Sequence, residues 1–207
     1  LNACIRLAVL LLLPGSLSAQ GFLEQFSYEG LRLAAIGVDG GVVVSNSLTT
    51  EAVGGVRLDL GTFAPRIRIV TGVSYFKGAY KDERIQLFEQ RLEDLIQDPS
   101  VDVTIGAVTL ANVEVYLDFQ YLFPAVGPVQ PYFGLGFAAH VRDGDGQAIE
   151  GTFVEDALDT VAAGLGGSVG FEVGLTSWLT FLAEARGGLT SELRTISARG
   201  GFMVRFP

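Results

Sequence analysis

The residues with chemical potential are few. His140 is the sole histidine, and the sole cysteine is Cys4, inside an apolar N-terminal stretch. Catalytic histidines need a nucleophile or an acid–base partner within hydrogen-bond reach. Two residues beyond His140 stands Arg142, a permanent cation, which points to a charge network rather than a nucleophile–base pair. Glu172, Glu184 and Asp118 could supply paired carboxylates, but Arg186 follows Glu184 at a spacing of two, and acids interleaved with arginines read as structural ion pairs. Gly134-Leu135-Gly136-Phe137-Ala138-Ala139 has the spacing of a dinucleotide fingerprint, which works only where a strand turns into a helix. Asp143-Gly144-Asp145-Gly146 opens like a calcium loop, yet the twelfth position is Val154 where a bidentate Glu is required, so a flexible acidic turn is expected. The expectation is therefore no catalytic residue, no metal site and no cofactor, and the chain is read as a non-enzyme.

The segments holding these residues alternate with a period of two. Over 113–123, Val113, Val115, Leu117, Phe119, Tyr121 and Phe123 share one face, while Glu114, Tyr116, Asp118 and Gln120 share the other. Residues 129–142 repeat the pattern. Such segments are amphipathic strands, long enough for the 9–11 or so residues of a membrane strand. Eight are predicted: 31–44, 51–60, 66–77, 109–122, 129–142, 159–174, 178–189 and 192–206. Parity then places Asp39, Arg57, Asp59, Arg66, Arg68, Glu114, Asp118, Gln120, His140, Arg142, Glu172, Glu184, Arg186, Arg199 and Arg205 on the enclosed face as an ion-pair network. A lipid-facing Arg or Lys at mid-membrane costs about 2–4 kcal/mol, and an eight-stranded barrel is only wide enough for side chains to fill. A plugged lumen is expected.

Composition agrees. Hydrophobic residues make up 49% and charged residues 18%, yet no run after residue 20 is long enough for a transmembrane helix, which is the outcome when every second residue meets lipid. Glycine is abundant, with 27 residues spread through the apolar segments, as crowded interior positions of a narrow barrel require. The net charge of −9 argues against nucleic-acid binding. Lys77 and Lys81 are the only lysines. The other basic residues are arginines, which make the better buried pairs.

Residues 1–19 read as a signal peptide: Arg6, the apolar run Leu7 to Leu13, a break at Pro14-Gly15, and small residues up to Ala19. A short arm (20–30) precedes a barrel over 31–207. The predicted connections alternate short (61–65, 123–128, 175–177) and long (45–50, 78–108, 143–158), as in barrels with short periplasmic turns and long outer loops. One outer loop breaks the period. Ile85, Phe88, Leu92, Leu95 and Ile96 form a helical stripe over 82–97, with Asp82 as a plausible N-cap. Phe63, Tyr75, Phe76, Tyr80, Tyr121, Phe123, Tyr132, Trp178, Phe181, Phe202 and Phe206 gather near strand ends, where interfacial girdles form.

The last strand carries Ile196, Ala198, Gly200, Phe202, Val204 and Phe206 outward and ends in an aromatic followed by Pro207. Here the chain resembles the small outer-membrane barrels of the OmpA-transmembrane and OmpX type. The resemblance implies an all-β fold: an eight-stranded antiparallel up-and-down transmembrane barrel with one short helix in an outer loop. It also implies that Phe202, Val204 and Phe206 are read by the barrel-assembly machinery. The expected partners are outer-membrane lipid, that machinery, and an extracellular partner met by loops 78–108 and 143–158.

The leading functional expectation is a structural or surface-interaction barrel. The alternatives are a narrow porin for small solutes, a lipid-modifying outer-membrane enzyme acting through His140, and a soluble lipocalin-like binder, whose apolar face would point inward.

Overall fold

An alternating segment can bury only one of its faces, and eight such segments in sequence must close on each other or leave an edge open. The computed structural model describes residues 28–96, 106–146, 160–191 and 193–207. The predicted signal peptide, most of the arm and the loop stretches 97–105 and 147–159 lie outside the described residues. After a 3-10 turn at Tyr28–Gly30 come β1 (Leu31–Ser45), β2 (Glu51–Ala64), β3 (Ile67–Ala79), α1 (Asp82–Ile96), β4 (Thr109–Leu122), β5 (Val129–Asp145), β6 (Thr160–Gly174), β7 (Leu179–Leu189) and β8 (Arg194–Arg205). Each strand pairs antiparallel with the next, and β8 returns to β1 with Val38 opposite Phe202, so the sheet is a closed barrel. Closure satisfies every strand's hydrogen bonds within the sheet and leaves no edge.

The two faces are reversed relative to a water-soluble barrel. On β4, Asn112, Glu114, Asp118 and Gln120 are buried, while Val115, Leu117, Phe119 and Tyr121 are exposed. The same holds around the ring: Val38, Val56, Leu135, Phe137, Leu165 and Val169 point outward. A lipocalin-like binder needs the opposite arrangement. No described helix is long and apolar enough to cross a membrane.

The β2–β3, β4–β5 and β6–β7 connections and both described termini lie at one end, the turn end; the β1–β2, β3–β4, β5–β6 and β7–β8 connections, the two longest among them, lie at the other, the loop end. At the loop end, inward-facing Val43, Val53, Phe76, Leu110 and Leu193 pack with Leu48 into an apolar cluster, with Tyr80 against it. Phe76 thus lies inside, not in an interfacial girdle, because it shares the parity of Arg68 and Ser74.

Three local expectations are corrected. The turn predicted at 61–65 does not end β2. Gly61 adopts φ 80°, its N–H donates to Asp59 Oδ1 at 2.8 Å, and the β2–β3 register slips between Asp59 and Thr62. This bulge absorbs the extra residue and lets pairing continue to Ala64. The turn shrinks to Pro65-Arg66, and Arg66, predicted for the enclosed face, is exposed there with φ 65°. Parity does not extend to a residue outside the strand. Next, the acidic stretch 143–145 continues β5, with Asp145 paired to Thr109. The long connections accordingly run from 80 to 108 and from 146 to 159. Finally, α1 starts from Lys81, whose carbonyl accepts the Arg84 and Ile85 N–H groups at 2.8 and 3.3 Å, so Asp82 sits in the first turn and is not the cap.

Tyr116 lies across from Gly72, and Tyr132 across from Gly170. The missing side chain at Gly72 is filled by the tyrosine: a Cβ there would come 2.5 Å from the Tyr116 hydroxyl oxygen and 2.5 Å from the Val56 carbonyl oxygen. Gly72→Ala is expected to destabilise the barrel by about 1–3 kcal/mol, the usual cost of overpacking. Denaturant unfolding in vesicles would measure it, and a neutral result would mean that the ring moves freely.

Candidate functional site: the buried charges

Burying a charge costs several kcal/mol unless partners and hydrogen bonds replace its water. The parity of eight strands nevertheless directs a dozen charges inward, so their positions are set by mutual pairing. Midway along the barrel, Arg57 on β2 donates Nε to Asp39 on β1 at 2.9 Å and forks onto Glu184 on β7 at 3.2 and 3.0 Å. Its residue exposure is 1%. The Tyr132 hydroxyl donates to Glu184 at 2.8 Å. Arg186 forks onto Asp118, with Nη2 at 3.1 Å from Oδ1, and its guanidinium lies 3.9 Å from the centre of the Tyr116 ring. Arg199 stands 3.6 Å from Asp39 and 3.5 Å from Glu114, and Arg186 Nε is 3.5 Å from Glu114. The Ser74 hydroxyl also donates to Glu114, at 2.8 Å. Asp39 and Glu114 are therefore each shared by two arginines, and one set of ion pairs joins β1, β2, β4, β7 and β8.

A second group sits nearer the turn end. Arg68 contacts Asp59 at 3.2 Å, the Gln120 side-chain oxygen at 2.9 Å, and Glu172. Arg205 donates to Glu172 at 2.6 Å and to Thr180 at 2.9 Å. Tyr132 links the two groups, because Arg68 lies 5.2 Å from its ring centre. Towards the loop end, Arg142 donates to the Thr190 hydroxyl at 2.6 Å, and His140 Nδ1 is 3.3 Å from Asn112 Oδ1.

Of the residues predicted for the enclosed face, Asp39, Arg57, Asp59, Arg68, Glu114, Asp118, Gln120, His140, Arg142, Glu172, Glu184, Arg186 and Arg199 are buried. Arg205 is partly buried at the turn end, and Arg66 is outside. The carboxylates that could have served acid–base chemistry are divided among different arginines: Glu184 with Arg57, Asp118 with Arg186, Glu172 with Arg68 and Arg205. Asn112 is the polar contact of His140, with Glu114 across the strand pair. The Gly134–Ala139 segment lies wholly inside β5, and no described group of three or more His, Cys, Asp or Glu side chains could hold a metal.

Sequence reading gave Tyr116 and Tyr132 no role in this interior. Their signal was parity, since Tyr116 is in phase with Glu114 and Asp118. Tyr132, predicted for a girdle, is 0% exposed. On β8, Phe202 and Val204 face outward; Phe202 packs edge-on against Phe181 at 5.6 Å. Phe206 follows the strand, exposed, with its N–H bonded to the Ala34 carbonyl at 2.8 Å.

Beyond the charges, the turn end holds a cavity of about 270 Å³ lined by Arg32, Asp59, Arg68, Gln130, Glu172 and Arg205 among others.

No family model matches the chain, and no curated protein sequence matches it. Solved structures do. Neisserial surface protein A is 18% identical, with a TM-score of 0.53 over 86% of this chain and 100% of its own. The outer membrane protein OprG from Pseudomonas aeruginosa is 14% identical, with a TM-score of 0.52 over 87% of this chain and 99% of its own. The fold is that of the small eight-stranded outer-membrane barrels.

Proposed function

We propose that the chain is an integral outer-membrane barrel, exported by a signal peptide at 1–19, with a structural or surface-interaction role and an interior closed to solutes. The observation that carries this reading is the reversal of faces: paired charges inside a closed sheet, uncovered aliphatic and aromatic side chains outside. A water-soluble monomer rarely exposes so large an apolar surface, whereas hydrocarbon favours it and penalises the reverse. The solved outer-membrane protein with the same fold supports the location.

Closure of the interior rests on the ion pairs. Arg57, Arg68, Arg186 and Arg199 reach Glu184, Glu172, Asp118 and Glu114 on strands that are not their neighbours, so their side chains cross the lumen at mid-height and below. The apolar cluster of Val43, Leu48, Val53, Phe76, Leu110 and Leu193 covers the loop end. The partners would be membrane lipid, the barrel-assembly machinery reading Phe202, Val204 and Phe206, and an extracellular partner met by the loops 80–108 and 146–159. No step of this role needs catalysis, a cofactor or nucleic acid.

The test is in two parts. Protein taken from outer membranes should migrate faster in detergent gels before boiling than after it. In planar bilayers it should give no large steady conductance. Release as a water-soluble monomer would overturn the location, and a steady open pore would overturn the closed interior.

A further inference from the structure

The cavity at the turn end is built differently from the interior above it. At its floor, both acids are paired on each of their oxygens. Asp59 accepts the Gly61 N–H on one oxygen and Arg68 on the other; Glu172 accepts Arg68 on one oxygen and Arg205 on the other. The cations are not saturated. Arg205 spends Nε on Thr180 and Nη2 on Glu172, and Arg32 donates Nη1 to the main-chain oxygen of Pro207 at 3.0 Å. Among the described residues, Arg205 Nη1 and the Nε and Nη2 of Arg32 make no hydrogen bond. Three guanidiniums therefore line about 270 Å³ of open space beside two paired carboxylates, with several N–H donors unspent among the described residues. Arg68 and Glu172 are buried, which makes the floor rigid, while Arg32 at the rim is exposed and reachable from solvent.

The geometry points to a binding site for a phosphate group at the turn end, held between Arg32 and Arg205. Arginine forks match the tetrahedral oxyanion, and charge-assisted hydrogen bonds are the stronger class. The unspent guanidinium N–H groups can only donate, so they select an anion over a cation, and the paired acids below exclude a second anion from the floor. Trp178 and Phe206 stand exposed at the same end, where interfacial rings sit at headgroup level. The phosphate can thus arrive free from solution or on a lipid headgroup. This site is independent of whether the lumen conducts.

The test uses the full mature chain, folded in uncharged dodecylmaltoside micelles and checked by its heat-dependent gel shift. Trp178 is the sole tryptophan, and its carbonyl accepts the Arg205 N–H at 2.8 Å, so its fluorescence reports on the site. Titration with inorganic phosphate at constant ionic strength should give a saturable change. Arg32→Gln removes only the contact with Pro207 within the described structure, so it should keep the gel shift and weaken phosphate binding about tenfold, the worth of one charge-assisted hydrogen bond. Arg32→Lys should recover part of the loss. In a second arm, micelles doped with phosphatidylglycerol replace the phosphate. Saturation there alone, again weakened in Arg32→Gln, assigns the site to a lipid headgroup. No saturable signal in either arm, or equal binding by the unmodified protein and Arg32→Gln, overturns the site.

Discussion

Arg57→Met lowers the unfolding free energy of the vesicle-embedded barrel by about 3–5 kcal/mol, the usual cost of removing one partner from a buried pair. The size of the effect comes from what stays behind. Arg57 is the shared partner of Asp39 and Glu184, and side-chain exposure in these pairs is 2% for Arg57 and 1% for each acid. Without it, Glu184 keeps the Tyr132 hydroxyl but has lost its forked cation. Asp39 retains Arg199, though only at 3.6 Å. Met nearly matches the aliphatic stem, so most of the loss comes from the missing guanidinium and its ion pairs. Adding Glu184→Gln to Arg57→Met should return part of the stability, because the stranded charge is then removed as well. Urea unfolding followed at Trp178 measures both variants. A loss below about 1 kcal/mol for the single variant, the level of an exposed pair, would mean that water enters the interior freely.

The second large effect lies on the opposite face. Val38→Arg is expected to cost about 2–4 kcal/mol in vesicles, the depth-dependent penalty for a cation at mid-bilayer. Val38 is central in β1, 60% exposed, and flanked across the strands by Val56 and Phe202. In a water-soluble barrel the same change would be close to neutral, since a surface arginine is ordinary. Val126→Arg provides the contrast. Val126 is more exposed, at 73%, but sits in the connection between β4 and β5 at the turn end, where the penalty falls to about 0–1 kcal/mol. Equal effects at the two positions would contradict a hydrocarbon belt around the middle of the barrel.

Much of the architecture was legible because a period of two admits only one folding of each segment. The predicted span 109–122 coincides with β4, and its strict alternation returned the buried set Glu114, Asp118 and Gln120 without any structural input. Where the period was locally disturbed, the reading slipped. Gly61 looked like a turn residue, yet its positive φ serves a bulge inside β2, and that shift carried Arg66 out of the interior. The acids at 143–145 looked like a loop because polar residues outside the membrane need not alternate in hydrophobicity, although the strand continues through them.

The site was legible as a set of residues but not as a set of partners. Parity says that Arg57 and Glu184 share the interior; only three-dimensional closure brings β2 opposite β7. The loop-end cluster escaped for a different reason. Val43, Val53, Phe76 and Leu110 are apolar residues in the phase of the charged face, and a rule that sends every apolar side chain to lipid cannot see them. Extending the parity of Asp39, Arg57, Arg68 and Glu114 by whole steps of two or four would have found all four.

The pairing of Val38 with Phe202 has a kinetic consequence. The first strand of the barrel receives its second neighbour only when β8 is present, so the cylinder cannot close before its eighth strand has been made. Ring closure of that span is the costliest entropic step of assembly, and a topology so rich in distant contacts folds slowly. Until that final zippering, two unpaired margins stay sticky. Pairing of β8 with β1 is the clasp that removes both margins at once.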